Sequence, residues 1–474
     1  MTSNNKALKS LTYLFTQLKL KLSTVIYSNE KIQNPHNKIV LLSTFFILLV
    51  GLFFFYTFHS DLLQFNLNRK SSLLGLTFAT VASCLFLYKL FFFLYTAYNY
   101  YKYKAIDAVA NDELPTCTVI VPAYNEGHQV YDTLMSLAKS DYPKDKLQLI
   151  AIDDGSADNT WIYMLIAKKQ LGDRLEIYQQ PENKGKRQAL YKGFHLGSGE
   201  VFITVDSDSI VTKDTLKNLV SPFVTQKNCG AVAGNIRVLN NKKEILPKML
   251  DVSFVMSFEF VRSAESHLNS VLCTPGALAA YRRDAIFECL PEWINQTFMG
   301  QPSDIGEDRA LTNMILKQGK HVLFQNNAVA YTNVPEKYPG LYKMFIRWGR
   351  SNVRENIAMA KYVFTDFKEG SKLGSRLLFF SQFLTLVMSY PFVIFMLFFV
   401  LTHPLLFLGS SIISILVAGS FAVGFYSYRY EVKEALWVYT YSILYTFALF
   451  WITPYAIATA NKSGWLTRGL TAHS

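Results

Sequence analysis

Acidic residues stand directly after two β-rich runs of the sequence. Asp153 and Asp154 close one run, and Asp206 and Asp208 form an Asp-Ser-Asp turn at the end of another. Carboxylate oxygens are the ligands that hard divalent cations prefer. An Asp-x-Asp turn at a strand end therefore favours a site for Mg²⁺ or Mn²⁺, which would stabilise a departing diphosphate. A solvated turn is the alternative for a single pair.

Two further clusters have residue types that suit an anion and a proton. Lys186 and Arg187 follow Gly185 and open a helical pattern, which suits a phosphate, with a basic surface turn as the alternative. Glu307 and Asp308 precede another helical pattern. A carboxylate beside a metal can serve as the base for a hydroxyl proton, or it can simply stabilise the helix dipole.

Apolar and basic side chains occur at helical spacing after residue 340. The apolar set is Leu341, Met344, Phe345 and Trp348, and the basic set is Lys343, Arg347, Arg350 and Arg354. A helix with such a basic stripe is typical of one that lies at a membrane interface. Part of the stripe could instead face a phosphate.

The elements that must position these residues form an α/β pattern. Short β-rich runs alternate with helical patterns between residues 100 and 370; the runs are 118–122, 148–153, 175–178 and 201–206. This predicts a parallel sheet whose ligands lie at the carboxyl ends of its strands.

Long apolar runs flank the α/β segment on both sides. They are residues 39–58, 73–98, 377–401, 405–426 and 435–460, the last interrupted by Pro454. About 20 apolar residues span a bilayer as a helix. The six lysines before the first run place the N-terminus in the cytosol by the positive-inside rule.

Composition agrees with a membrane protein. The 474 residues are 50% hydrophobic and carry a formal net charge of +12. With so much apolar sequence, the basic charge favours an anionic membrane surface over nucleic acid as the partner. The five cysteines form no Cys-x-x-Cys pair, so neither a zinc site nor a disulfide framework is indicated.

Taken together and in this order, the motifs resemble family-2 processive glycosyltransferases. They are residues 119–126, residues 152–156, Asp206-Ser207-Asp208, Gly306-Glu307-Asp308-Arg309 and Arg347-Trp348. The sequence is most similar to hyaluronan synthases and to nodulation-type chitin-oligosaccharide synthases, through residues 295–312 and 463–468.

The resemblance implies a fold class and a layout. The fold would be α/β, with a cytosolic GT-A (Rossmann-like, nucleotide-sugar-binding) domain flanked by transmembrane and interfacial helices in the inner or plasma membrane. The expected segments are a basic N-terminal segment 1–38, two transmembrane helices in 39–98, the GT-A domain 99–340, an amphipathic interfacial region 341–376, two transmembrane helices in 377–426, and a C-terminal segment 427–474. The last segment would hold an interfacial, re-entrant or spanning helix and a gating-type loop.

The resemblance also implies a role for each site residue. On the nucleotide-sugar side, these residues are Asp153 and Asp154 at the uridine, Lys186, Arg187, Asp206 and Arg347 near the diphosphate, and Trp465 and Arg468 in the closing loop. Asp208, with Asp206, would hold Mg²⁺ or Mn²⁺. On the acceptor side, these residues are Asp308 as general base with Glu307 beside it, Trp348 stacked on the acceptor sugar, and Cys273 in the acceptor segment.

Two positions depart from the family's pattern. Met344 stands where the family's Gln-x-x-Arg-Trp has its glutamine, and the Cys-Ser-Gly-Pro-like segment reads Cys273-Thr274-Pro275-Gly276 here. Both positions concern the acceptor.

Four functions follow as hypotheses. The first is polymerisation of N-acetylglucosamine from UDP-N-acetylglucosamine into a β-linked, chitin-like glycan, with a UDP-sugar, a growing glycan and the lipid bilayer as partners. The second is a hyaluronan synthase that also uses UDP-glucuronic acid. The third is a non-processive transferase to a lipid-linked acceptor, which Met344 keeps open. The fourth, a membrane scaffold with a decayed domain, is disfavoured because all the acids are present. The sugar and the oligomeric state stay open.

Overall fold

The computed structural model describes residues 35–242 and 244–462. The helices are α1 (Pro35–Lys70), α2 (Leu73–Lys102), α3 (Gln129–Ala138), α4 (Thr160–Leu171), α5 (Lys186–Leu196), α6 (Thr215–Thr225), α7 (Ile245–Phe254), α8 (Arg262–His267), α9 (Arg283–Ile294), α10 (Glu307–Lys317), α11 (Tyr338–Ala360), α12 (Leu373–Thr402), α13 (Pro404–Arg429), α14 (Val432–Ala435), α15 (Trp437–Ala448) and α16 (Ile452–Ala458). The strands are β1 (Cys117–Ala123), β2 (Leu147–Asp153), β3 (Leu175–Gln179), β4 (Val201–Thr204), β5 (Ser209–Val211), β6 (Cys229–Val238), β7 (Ala279–Arg282), β8 (Thr297–Phe298), β9 (Gln301–Pro302) and β10 (His321–Thr332).

The chain forms two compact units. The sheet unit comprises Leu87–Asn240, Ser257–Phe392 and the described part of Trp451–Ser474. The helical unit comprises the described part of Met1–Phe86 together with Asn241–Met256 and Val393–Phe450. Each unit is assembled from separate stretches of chain. The consecutive segments expected from the sequence are a different kind of division and stay a prediction.

The sheet unit contains a mixed eight-stranded sheet in the order β3-β2-β1-β4-β7-β6-β10-β5. The four strands expected from the sequence are adjacent and parallel, as predicted. β7 runs antiparallel to both of its neighbours, and β5 runs antiparallel to β10. The sheet is therefore not fully parallel. A parallel strand requires a crossover back to the other end of the sheet, whereas the chain enters β7 from residues 268–278, after α8, at the carboxyl edge of β4.

Burial on both faces explains why these strands are nearly continuous apolar runs. Ile120 of β1 and Ile150 of β2 are fully buried in one core cluster, and their neighbours Val119 and Leu149, which point to the opposite face, are also buried. Helices cover both faces of such a sheet, so its strands lose the polar alternation of a half-exposed strand.

Within the described residues, four helices are long and apolar enough to cross a membrane: Ile39–Asp61, Gly75–Lys102, Leu373–Thr402 and Pro404–Arg429. They match the first four apolar runs of the sequence. The fifth run is broken at residues 449–451, before α16. Pro454 lies in the first turn of α16, where its missing N–H costs no helical hydrogen bond. Whether this broken segment crosses the membrane stays a prediction.

Small and polar residues join the apolar helices of the helical unit. Gly51 of α1 lies directly against Ile412 of α13. The hydroxyls of Thr44 and Thr440 are 3.0 Å apart, and the Tyr426 hydroxyl donates to Asp251 at 2.8 Å. Small residues of this kind let apolar helices approach closely where no hydrophobic effect drives them together.

We expect Gly51→Ala to lower the melting temperature of the detergent-solubilised protein, because the added Cβ would overlap the Ile412 side chain. Overpacking of this kind costs about 1–3 kcal/mol. Thermal unfolding followed by tryptophan fluorescence measures the effect.

Gly424→Ala is the matched control, since Gly424 also lies in an apolar helix and has open space around its Cβ position. Equal melting temperatures for the two variants would contradict the close approach of α1 and α13.

Candidate active site

The candidate site lies at the carboxyl edge of the parallel strands. The loops after β2 and β4 and the N-termini of α5 and α10 meet there. β7 pairs antiparallel with β4, with Ala279 opposite Thr204, so the chain that precedes β7 reaches the same edge. Segments far apart in the sequence thereby contribute to one cluster.

Lys186 is the centre of this cluster. Its buried Nζ lies 2.5 Å from Asp206 Oδ1 and 2.9 Å from Glu307 Oε1. Burial acts to lower the pKa of Lys186, but the two carboxylates outweigh it and raise that pKa above its usual value. A Cβ on Gly276 would stand 2.5 Å from the same Nζ, so only glycine fits there without displacing the ammonium. The lysine therefore stays charged and fixed.

Asp208 lies beside Asp206, one of the two carboxylates that contact Lys186. Thr332 of β10 donates to Asp208 Oδ1 at 3.2 Å. Burial and the neighbouring charge of Asp206 raise the pKa of Asp208 to about 6. Asp206 and Asp208 therefore lie side by side, and the Lys186 ammonium lies between Asp206 and Glu307.

The donor set fits a hard divalent cation that shares its coordination with other groups. Within residues 35–242 and 244–462, no three His, Cys, Asp or Glu side chains are grouped to hold a metal. Asp206 and Asp208 would supply carboxylate oxygens, which Mg²⁺ and Mn²⁺ prefer. Such ions commonly complete their coordination with waters and substrate phosphates.

Asp308 is oriented by two backbone N–H groups. Gly276 donates to its Oδ2 at 3.1 Å and Arg309 donates to its Oδ1 at 2.7 Å. Burial, followed by the charge of Glu307, raises the pKa of Asp308. Burial also acts to raise the pKa of Glu307, but Lys186 outweighs it and lowers that pKa. The pKa values of these two adjacent carboxyl groups are thus shifted in opposite directions, which suits one proton acceptor and one permanent charge.

Cys273 lies next to Asp308, with its Sγ 4.0 Å from Asp308 Oδ2. Burial and the Asp308 charge raise the pKa of this thiol to about 12. Cys273 therefore stays a neutral thiol at physiological pH. The structure places it beside Asp308, as expected, and its contact with an acceptor stays a prediction.

Asp153 and Asp154 are buried and already bonded to protein donors. Gln179 Nε2 donates to Asp153 Oδ2 at 3.0 Å. The N–H groups of Lys184 and Gly185 donate to the two oxygens of Asp154, each at 2.9 Å. Asp154 thereby fixes the loop that leads into α5. Their predicted contact with uridine is untested.

The Arg187 guanidinium is bonded to α9 and the residues after it rather than to Asp206 or Asp208. Its Nη1 donates to the carbonyl of Trp293 and, at 3.0 Å, to Gln296 Oε1. Its Nε and Nη2 are buried without a hydrogen-bond partner among the described residues. The predicted contact with a diphosphate is untested, and Arg187 would have to turn to make it.

The α11 helix carries the Arg347-Trp348 pair. Trp348 keeps 38% of its surface exposed, and its expected stacking on an acceptor sugar stays a prediction. The charge of Arg347 contributes to the lowered pKa of Glu307, so Arg347 lies near the carboxylate cluster. Met344, at the usual glutamine position, is buried.

Two of the four basic residues of the predicted stripe on α11 are not at the surface. Arg350 and Arg354 are each 3% exposed. Arg354 donates to the carbonyls of Ala460 at 2.7 Å and Lys462 at 2.8 Å, and Arg350 donates to Thr459. Acceptors of the C-terminal segment satisfy both buried guanidinium groups: backbone carbonyls for Arg354 and the Thr459 hydroxyl for Arg350. Trp465 and Arg468 lie outside the described residues.

Two contributors were missed by sequence reasoning. Gly276 acts through its backbone N–H and its lack of a side chain, and Thr332 acts through a hydroxyl on a strand distant in sequence. Every residue except proline has a backbone N–H, so the residue type does not reveal which N–H acts as a donor in a site. No motif marks Thr332 either, since threonine is common in strands.

Comparisons with known proteins agree with this geometry. The family model described as "Glycosyltransferase like family 2" matches residues 115–351. The structure is similar to that of the mannosyltransferase PcManGT from Pyrobaculum calidifontis, solved with GDP-Man and Mn²⁺. That likeness has a TM-score of 0.54 and 21% identity, and it covers 81% of this chain and 96% of the other.

Three curated relatives illustrate the similarity in sequence. An N-acetylglucosaminyltransferase of Azorhizobium caulinodans is 33% identical over 51% of this chain and 60% of its own length. One of Sinorhizobium fredii is 29% identical over 76% of this chain and 85% of its own. A hyaluronan synthase of Streptococcus pyogenes is 30% identical over 52% of this chain and 59% of its own. The match thus spans about three fifths of the first of these relatives.

The family match covers the sheet, the Asp206–Asp208 turn, Lys186 and Asp308 in one continuous stretch. The sheet has the GT-A fold, as its likeness to the solved mannosyltransferase shows. With this fold and this cluster of carboxylates, the chain belongs to glycosyltransferase family 2.

Proposed function

We propose that this protein is an inverting, processive glycosyltransferase that polymerises N-acetylglucosamine from UDP-N-acetylglucosamine into a β-linked, chitin-like glycan. The observation that carries the proposal is the Asp308 carboxylate, held by two backbone N–H groups beside the Lys186 cluster. Relatives named N-acetylglucosaminyltransferase support the choice of sugar, and one of them matches 76% of this chain.

The chemistry is a single displacement at C1 of the donor sugar. The acceptor hydroxyl oxygen forms a bond to C1 while Asp308 takes the hydroxyl proton. The bond between C1 and the diphosphate oxygen breaks, and UDP leaves with that electron pair, so the configuration at C1 inverts. A divalent cation held by Asp206 and Asp208 would supply positive charge to the leaving diphosphate.

The fixed charges around the site suit this reaction. Lys186 and Arg347 place positive charge where the leaving group gains negative charge. Lys186 is held by Asp206 and Glu307, so it needs no rearrangement during the reaction. Trp348 offers its exposed indole face to the acceptor sugar.

The apolar helices support a multi-pass protein of the inner or plasma membrane with a cytosolic catalytic domain. The four candidate spans and the lysines before the first of them carry this part of the proposal. The partners would be a UDP-sugar, the growing glycan and the bilayer.

A hyaluronan synthase is the second candidate function. The Streptococcus pyogenes relative carries that name and is 30% identical to this chain over 252 residues. A non-processive transferase to a lipid-linked acceptor is a third candidate, because an apolar Met344 replaces the glutamine that the family's pattern has there.

Sugar incorporation by the purified protein with Mg²⁺ or Mn²⁺ separates these functions. We expect UDP-N-acetylglucosamine alone to give a product that chitinase digests. A polymer formed only when UDP-glucuronic acid is added, and digested by hyaluronidase, would establish the second function instead. A short product that extracts with lipid would favour the third.

We expect Asp308→Asn to reduce transfer by about 10²–10⁴-fold, because the amide cannot accept the hydroxyl proton. Binding of the UDP-sugar, measured by calorimetry, should change little. Asp284→Asn is the control, since Asp284 is an exposed acid in the first turn of another helix. Transfer at the wild-type rate by Asp308→Asn would rule out Asp308 as the base.

Asp208→Asn should raise the concentration of Mg²⁺ or Mn²⁺ needed for half-maximal transfer by at least about tenfold, because hard cations bind carboxylate charge. A metal titration of the transfer rate measures it. Asp214→Asn, at an exposed helix start, is the control. An unchanged metal requirement in Asp208→Asn would show that this carboxylate is not a ligand.

A further inference from the structure

Arg309, the residue after the proposed base, is a buried cation held by neutral amides. It is 7% exposed. Its Nη1 donates to Asn352 Oδ1 of α11 at 2.7 Å, and its Nη2 donates to Gln382 Oε1 of α12. In the described part of the chain, no carboxylate forms an ion pair with it. Amide oxygens are directional acceptors, so they fix the guanidinium in orientation as well as in position.

Gln382 lies in an apolar helix that is long enough to cross a membrane. Its Oε1 accepts a second hydrogen bond from Asn356 Nδ2 at 3.3 Å, and the same Nδ2 donates to the carbonyl of Asn352 at 2.7 Å. One amide oxygen of α12 thus joins residues of α10 and α11. A polar side chain in such a helix is costly unless it has hydrogen-bond partners. One partner of Gln382 is Arg309, the residue next to Asp308.

The Arg309 side chain and the Asp308 carboxylate belong to the same helical turn. The Arg309 N–H donates to Asp308 Oδ1 at 2.7 Å. Trp293 Nε1 holds the carbonyl of Glu307 at 2.9 Å, so the first residue of α10 is fixed separately. Release of the Arg309 side chain would therefore let the turn rotate about this point and move the Asp308 carboxylate. A misplacement of about 1 Å can cost about 10²-fold in rate.

We propose that Gln382 is a positioning residue that couples the apolar helix α12 to the general base Asp308 through Arg309. The inference rests on the proposed function only in taking Asp308 as the base, and it holds for whichever UDP-sugar is transferred. A shift of α12 along its axis would change the geometry of the base, so glycosyl transfer depends on where α12 lies.

The test compares the full-length wild-type protein with Gln382→Leu and Gln382→Glu in detergent. Transfer from UDP-N-acetylglucosamine, alone and with UDP-glucuronic acid, gives kcat and KM, and thermal unfolding gives the melting temperature. We expect Gln382→Leu to lower kcat about 10–100-fold with KM little changed. The melting temperature should also fall, because the buried Nη2 of Arg309 loses its acceptor. Gln382→Glu keeps an oxygen for Arg309 and should retain most of the activity.

Two further variants keep the test decisive. Ser389→Ala is the control on the same helix, because Ser389 Oγ donates to the Leu386 carbonyl within α12 and, among the described residues, to no other element. If Gln382→Leu does not fold, Arg309→Lys replaces it, since an ammonium keeps the charge but loses the fork that binds both amides. We expect the same selective loss of kcat.

A double-mutant cycle separates positioning from a general structural role. In an Asp308→Asn background, Gln382→Leu should cause no further loss of the residual rate, because both changes act through one carboxylate. Additive losses, or a rise in KM with no rescue by Gln382→Glu, would overturn the proposal. Absence of transfer by the wild-type protein with both donors would refute the proposed function instead. UDP release from a panel of UDP-sugars would then serve as the rate for the same variants.

Discussion

A buried lysine held between two carboxylates is the interaction on which the candidate site depends. Lys186 Nζ contacts Asp206 in the loop after β4 and Glu307 at the start of α10. A buried ammonium requires such partners, because its desolvation is otherwise prohibitive. The acids require the ammonium equally, since several carboxylates crowd this edge. The arrangement fixes the loop after β4 and the start of α10 with respect to each other, and it divides the acids into permanently charged and proton-accepting groups.

The direction of one strand brings the rest of the site to this cluster. β7 is antiparallel to β4, so the segment from Cys273 to Gly276 ends at the carboxyl edge beside Lys186 and Asp308. Gly276 contributes a backbone N–H to Asp308 and leaves room for the ammonium of Lys186. A side chain at this position would compete with Lys186 for the same space, which explains why the close approach is made by glycine.

Buried polar groups also tie the α11 helix to its surroundings. Arg354 bonds backbone carbonyls of the C-terminal segment, and Asn352 and Asn356 join the Arg309–Gln382 contact. Each guanidinium has fixed planar donors, so each holds several elements in one relative orientation. The same helix therefore positions the chain before Trp465 and the helix that carries Asp308.

The sequence by itself determined the elements and the chemistry they present. Apolar runs of the right length predicted β1 to β4 and four of the apolar helices, because local periodicity and length record how each element is buried. The sequence singled out Asp206 and Asp208 after a strand and Asp308 before a helix, and the family resemblance assigned them to one site. Only the tertiary structure decided the partners: that Lys186 pairs with Glu307, that Asp153 and Asp154 are bonded to protein donors, and that Arg350 and Arg354 are buried. These contacts join residues far apart in the chain, so they depend on how the strands cross and not on any local pattern.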